Sequence, residues 1–147
     1  MSKLIIRDMK EDDIPPVLEI EKTSFTTPLS EQDFLNELSK KEALSKVAEF
    51  EGNIIGYICV NYHARESHIL NLAVRPDFRR QGVATILMDE AIRELNKKGC
   101  AFMYLKVRVS NSGAQRFYEL LGFKVESIRK KYYDNPDEDA LLMMRRL

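Results

Sequence analysis

The chain has 147 residues, 44% hydrophobic and 31% charged, with 23 basic and 23 acidic side chains and a formal net charge of zero. That length suits one domain, residues 1–147, which buries roughly 70% of its unfolded surface without disulfide or metal support. The balanced charge argues against bulk attraction to nucleic acid or a membrane surface, so any anion site has to be local.

In chain order, Leu4–Arg7 reads as a short strand. Asp12 and Asp13 then precede Pro15 and Pro16, which suit a first helical turn, and Ile14, Val17, Leu18 and Phe25 approximate one helical face. Ser30 with Asp33 three residues later, close to a capping box, starts a second helix in "SEQDFLNELSKK". Ser45–Phe50 and Ile54–Tyr62 alternate as strands around the hairpin signal "EGN", and Ser67–Val74 is a further strand. "RRQGVA", residues 79–84, opens a third helix that stops at Gly99, a natural residue just past a helix end. Phe102–Val109 is a strand with Met103, Leu105, Val107 and Val109 on one face. Asn111–Leu121 is a short helix capped by Asn111 or Ser110 and stopped by Gly122. Phe123–Lys131 and Ala140–Arg146 close the chain as strands around the turn-rich "DNPDED". The order is β-α-α-β-β-β-α-β-α-β-β, one α/β domain whose middle forms a strand–helix–strand crossover.

Other chemistries find little support. Cys59 and Cys100 form no CxxC and no ligand cluster, and read as small buried hydrophobes in a reduced, cytoplasmic chain. His63 and His68 are the only imidazoles, too few for a catalytic zinc site, so no metal is expected. The N-terminus turns acidic too soon for a signal peptide, and no apolar run reaches the roughly 18 residues needed to span a bilayer.

The "RRQGVA" turn is the informative stretch. Arginines at the positive end of a helix are unfavourable unless an anion joins them. A strand, a tight glycine turn and a helix together make a general phosphate grip, and Gly82 permits close backbone approach. The turn is neither a GxxxxGK[ST] loop nor GxGxxG, and its length suits one pyrophosphate. An exposed helix start with merely solvated arginines is the alternative.

Arg79, Gly82 and Ala84 fill [Q/R]-x-x-G-x-[G/A], and "NSGAQRFYELLGF", residues 111–123, fills N-x-x-A-x-x-[F/L]-Y-x-x-x-G-F. With that spacing the chain resembles the GNAT N-acetyltransferase superfamily over its full length. "LNLAVRPDFRRQGVA", "RKKYYDNPDEDALLM" and "IEKTSFTTPLSEQDF" further resemble the N-terminal protein acetyltransferases, the group of the bacterial ribosomal-protein alanine N-acetyltransferases and their archaeal counterparts. The resemblance implies a mixed, mostly antiparallel central sheet flanked by about four helices. It implies acetyl-CoA as co-substrate and a protein N-terminal amine, a ribosomal protein's among the candidates, as acceptor, with direct transfer and no covalent enzyme intermediate.

It also implies roles. Backbone at Leu72, Ala73 and Val74 would pair with the pantetheine arm as an added strand. Arg79 and the N–H groups of Arg80, Gln81, Gly82, Val83, Ala84 and Thr85 would hold the pyrophosphate. Asn111 would touch the cofactor, although a plain helix cap reads equally well. Tyr118 would be the general acid for the departing thiolate, although Ala114, Phe117, Tyr118 and Leu121 also form an ordinary apolar helix stripe. Glu21, Tyr132 and Tyr133 would meet the acceptor peptide, the tyrosines as a lid or as plain edge-strand packing.

The base is open. The group usually carries glutamate where Lys106 stands, and a lysine serves as base only after deep burial. His68 is one replacement, with a half-exposed strand histidine as its plain reading; Asn71 and Glu66 holding a relay water are another. An α-amine, with a pKa of about 8, is on the order of one-tenth neutral at pH 7, so a weak base favours it over a lysine acceptor. Two rival functions remain: a lysine or polyamine acetyltransferase, which an acidic pocket would favour, and a non-catalytic CoA-binding regulatory module, which Lys106 supports.

Overall fold

The computed structural model describes residues 3–147. Each predicted element forms, with small shifts at the ends. The strands are β1 Leu4–Asp8, β2 Ala43–Phe50, β3 Asn53–His63, β4 Glu66–Val74, β5 Phe102–Arg108, β6 Lys124–Tyr133 and β7 Glu138–Arg146. The helices are α1 Ile14–Ser24, α2 Glu31–Ser39, α3 Val83–Lys97 and α4 Ser112–Leu120.

Local chemistry explains the boundaries. Pro15 and Pro16 sit in the first turn of α1, where the missing N–H costs nothing. Ser30 Oγ accepts from the Asp33 N–H at 3.1 Å while an Asp33 oxygen accepts from the Ser30 N–H at 2.8 Å, so α2 starts on a complete capping box. Glu51 and Gly52 both take positive φ (51° and 82°), the twist a tight β2–β3 hairpin needs. Strand β5 is one residue shorter than expected. It ends at Arg108, and Val109 is 44% exposed instead of buried with Met103, Leu105 and Val107.

The sheet order is β1-β2-β3-β4-β5-β7-β6. Every neighbouring pair is antiparallel except β4–β5, which are parallel and joined through α3. Helices α1 and α2 close one apolar cluster, in which Val17, Ile20 and Phe34 pack on Val47, Tyr57 and Cys59. Helix α3 buries Leu87, Met88, Ala91 and Leu95 in a second, together with Ile58, Val60, Met103 and Met143. Strand β3 therefore feeds both layers, Tyr57 and Cys59 to one and Ile58 and Val60 to the other. Each such fully buried side chain contributes about 1.5–3 kcal/mol. Lys46, 5% exposed, bridges Asp8 at 2.6 Å and Glu94 at 2.8 Å and ties α3 to the β1 end of the sheet.

Candidate active site

The parallel pair β4–β5 does not stay paired. Its register covers only Glu66–Phe102, Ser67–Met103 and His68–Tyr104. Beyond His68 the strands part. A bulge at this point aids the parting: on β3 the register steps from Cys59–Asn71 to Val60–Ile69, which leaves Leu70 of β4 as an extra residue. The parting opens a cleft of about 1230 Å³. Leu72, Ala73 and Val74 of β4 line it on one side, Lys106 and Arg108 of β5 on the other, and Tyr118 of α4 reaches it as well.

At the β4 end, residues 76–78 make a short 3₁₀ turn, then Arg80 (φ 61°) and Gly82 (φ 83°) bend the chain through the left-handed region into α3. A Cβ on Gly82 would meet no protein atom within 4 Å, so the requirement for glycine within the protein is its φ, and the space beside it is open. The first bond of α3 runs from the Ile86 N–H to the Gly82 carbonyl at 3.0 Å. Among the described residues, the N–H groups from Arg80 to Thr85 have no partner outside that helix. They form a row of donors at the positive end of a 15-residue helix.

The arginines divide their tasks. Arg79 turns its guanidinium back, with Nε 2.9 Å from the Val74 carbonyl and Nη2 3.2 Å from Ser24 Oγ, and so fixes the turn against β4 and α1. Arg80 lines the cleft without such a bond. Gln81 donates to the Asp77 carbonyl at 3.3 Å and does not line the cleft, although its backbone N–H belongs to the donor row. Asn111 is the cap of α4, with Oδ1 accepting from the Ala114 N–H at 3.1 Å, and it also lines the cleft.

Tyr118 is 9% exposed and sits edge-on between Phe117 and Phe123, with centroids 5.2 and 5.6 Å away. The stripe reading therefore holds for its ring, which also borders the cleft. Its hydroxyl has no hydrogen-bond partner among the described residues and stays accessible from the cleft. Burial, then the neighbouring Tyr133, raises its pKa above the ordinary tyrosine value.

His68 stands at the last registered pair, stacked on Tyr104 at 5.2 Å, and lines the cleft while remaining open to solvent. Burial first, then the Lys106 charge, lowers its pKa from the usual 6.5, so the imidazole is neutral at pH 7. Glu66 is exposed and outside the cleft lining, which removes it from a relay with Asn71.

The tyrosines come from β6, whose pairing with β7 breaks between Arg129 and Tyr133. Lys131 lies at φ 52°, and its N–H reaches Asp139 Oδ1 at 2.8 Å. This break sends Tyr132 over Lys106 (5.3 Å to the ring centroid) and Tyr133 over Arg108 (4.4 Å). Burial and Tyr132 push the Tyr133 hydroxyl up to about 12.

Glu21 does not line the cleft. It is fully buried, accepting from the Tyr57 hydroxyl, from Asn71 Nδ2 at 2.9 and 2.7 Å, and from the Leu29 N–H at 2.8 Å. Its carboxylate fastens the α1–α2 loop to β4, so that Phe25, Thr26 and Thr27 form a cleft wall. Here it positions other groups and is not open to a peptide. Sequence reasoning missed that wall, and it missed Asn61 of β3, whose buried Oδ1 lies unpartnered beside the cleft. Phe25, Thr26 and Thr27 lie within "IEKTSFTTPLSEQDF", but nothing in that stretch sets them beside β4, and Asn61 carries no motif; the Glu21–Asn71 bonds and the register across β3 and β4 reveal them.

A smaller hollow of about 610 Å³ lies between α2, β2 and the end of α3, lined by both charge signs and by no motif residue. Among the described residues no group of three or more His, Cys, Asp or Glu side chains is placed to hold a metal ion, and no helix is long and apolar enough to cross a membrane. Cys59 and Cys100 are unpaired and buried, and burial pushes the Cys59 thiol up to about 12.

Known proteins share both sequence and shape with this chain. The acetyltransferase (GNAT) family model matches residues 10–123. The ribosomal protein bS18-alanine N-acetyltransferase of Escherichia coli (strain K12) is 33% identical over 140 residues, 94% of this chain and 94% of that protein. The crystal structure of the Escherichia coli ribosomal-protein-S18-alanine N-acetyltransferase superposes with a TM-score of 0.88 at 32% identity, covering 97% of this chain and 93% of the other. Ard1 from Thermoplasma volcanium superposes at 0.91 with 29% identity, covering 99% and 98%.

Proposed function

We propose, from the premise that the chain belongs to the acetyltransferase (GNAT) family, that it moves the acetyl group of acetyl-CoA to the α-amine of a protein N-terminus. It is an acetyl-CoA-dependent N-acetyltransferase, and the ribosomal-protein enzyme it resembles makes a ribosomal N-terminus the first acceptor to try. One observation carries the reading: an unpaired strand edge and an unpaired row of helix N–H groups meet in a single cleft that also contains a tyrosine hydroxyl.

The roles follow from that arrangement. The free edge of β4 at Leu72–Val74 receives the pantetheine arm, and the N–H groups from Arg80 to Thr85 receive the pyrophosphate, with Arg80 adding charge. Acetyl-CoA supplies the activated carbonyl. His68, neutral at pH 7, takes the proton from the attacking amine, directly or through water. Tyr118 faces the leaving sulfur. Its raised pKa makes complete proton transfer to a thiolate near 8.5 uphill, so the hydroxyl acts mainly by donating a hydrogen bond to the developing charge. Glu21 keeps the α1–α2 wall in place. The site sits on one acetyltransferase domain, residues 1–147, that works in the cytoplasm with both thiols reduced.

A lysine or polyamine acceptor calls for acidic lining, and no Asp or Glu among the described residues lines this cleft. The test is a panel of peptides with free or blocked N-termini incubated with acetyl-CoA and read by mass spectrometry. Label on the free α-amine is expected; label on lysine side chains alone, or none with tight acetyl-CoA binding, overturns the reading.

A further inference from the structure

The acceptor wall carries a cation with no counterion among the described residues. Lys106 and Arg108 occupy alternate positions on β5 and so share a face of the strand. Each lies under one ring of the tyrosine pair. Their remaining partners differ sharply. Arg108 reaches Glu138 Oε1 at 3.2 Å, the Pro136 carbonyl at 2.9 Å and the Asp134 carbonyl at 3.1 Å, so its charge is spent on holding the β6–β7 hairpin. Lys106 makes no hydrogen bond and no ion pair with any described residue; its ammonium lies over the Tyr132 ring.

Its neighbourhood offers no relief. The cleft lining contains five positively charged or titratable basic residues, His68, Arg79, Arg80, Lys106 and Arg108, and no acidic one. Arg79 and Arg80 belong to the turn before α3, at the β4 side, where the phosphates are received. Lys106 stands on the opposite strand beside His68 and Tyr132. An ammonium partly withdrawn from water and left unpaired is costly, and the cost falls when an anion arrives with the ligand.

We propose that Lys106 is a specificity residue, pairing with a carboxylate side chain at one of the first two residues of the acceptor peptide. The enzyme then prefers N-termini bearing Asp or Glu there and rejects Lys or Arg by like-charge contact. This rests on the N-terminal acetyltransferase reading and adds the acceptor's chemical class to it. It also gives Lys106 a task other than proton abstraction, which the proposed function assigns to His68.

The test uses charge-matched pairs of peptides: Asp against Asn at the first residue, Glu against Gln at the second, and Lys against Gln at each. The wild-type protein is expected to favour at least one acidic member about tenfold in kcat/KM, carried by KM and shrinking at high salt. In Lys106→Met that ratio falls to about one, Lys106→Arg restores it, and Lys106→Glu turns the preference toward the lysine peptide. Each ratio is internal to one variant, so a change in absolute rate or yield does not disturb it. Peptide acetylation with ratios near one, or a ratio that survives Lys106→Met, removes this inference and leaves the enzyme reading standing. Absence of peptide acetylation by the wild type fails both. Free glutamate and aspartate form a separate arm, and acetylation of these in preference to the peptides overturns the assignment to a peptide side chain.

Discussion

The two walls of the cleft are built by different means. The β4–α3 wall uses backbone: an unpaired strand edge and a row of N–H groups, set by Arg80 and Gly82 at positive φ. The β5–α4–β6 wall uses side chains: His68 at the seam, then Lys106, Tyr118, Tyr132 and Tyr133, each brought from a different register position. Backbone suits a co-substrate that is always the same molecule, since N–H positions change little when side chains are exchanged. Side chains suit an acceptor that differs between related enzymes.

If that division is real, damage to the two walls should separate cleanly. The largest effect is expected on the side-chain wall. His68→Ala should lower turnover about a hundredfold at pH 7, the usual loss for a positioned base, with little change in acetyl-CoA affinity. Because burial and Lys106 both disfavour the imidazolium, the base form persists below pH 6.5. The ratio of wild-type to variant kcat/KM cancels the acceptor amine's own titration. It should rise from about one in acid to its full value by about pH 7, and Lys106→Met should move that rise to higher pH. A flat ratio near one would leave this wall without a base.

Tyr118→Phe comes next. The ring still fills the space between Phe117 and Phe123, so the fold persists. A hydrogen bond to a charged atom is worth about 1.5–3 kcal/mol, and turnover should drop roughly tenfold to a hundredfold. Stopped-flow or steady-state turnover at saturating acetyl-CoA reads it. A loss confined to acetyl-CoA affinity would move Tyr118 to the other wall.

Gly82→Val is the smallest and tests the backbone wall. No protein atom crowds the new side chain, but φ 83° is strained for any residue with a Cβ, by about 1–2 kcal/mol, and the side chain enters the space left for the phosphates. Calorimetric titration should show acetyl-CoA binding about tenfold weaker, with turnover at saturation nearly kept. Unchanged affinity in a folded variant would separate this turn from the site.

The same division explains what could be read from sequence. The element order followed from period and turn residues, and the "RRQGVA" turn showed because glycine and helix-start chemistry lie within six consecutive residues. The acceptor wall was only partly legible. Tyr118 could be named through a motif, yet its spacing alone fitted core packing; its ring packs between Phe117 and Phe123 and also lines the cleft. Glu21 was expected at the peptide and instead lies beneath the wall, because its partners Tyr57 and Asn71 are 36 and 50 residues away. Arg79 was expected to hold an anion and turns back to the Val74 carbonyl, a bond that depends on where β4 ends. Register across strands, invisible to local pattern, set the first, and the end of β4 five residues before Arg79 set the second.

The short seam between β4 and β5 has a mechanical consequence. Three registered pairs, with the Ala101 and Phe102 N–H groups on the Arg65 carbonyl and the Ser67 hydroxyl on the Phe102 carbonyl, join the half-sheet β1–β4 to the half-sheet β5–β7 at one end, and the other end is left to α3 and to whatever fills the gap. A co-substrate lying in that gap is a removable strand, present in one functional state and absent in the next. Each catalytic cycle should therefore tighten and loosen the domain's own cohesion. At a concentration a hundred times its dissociation constant, such a ligand adds about 2.7 kcal/mol to stability. The cell's supply of acetyl-CoA would then govern not only how fast this enzyme works but how long each copy resists unfolding and proteolysis.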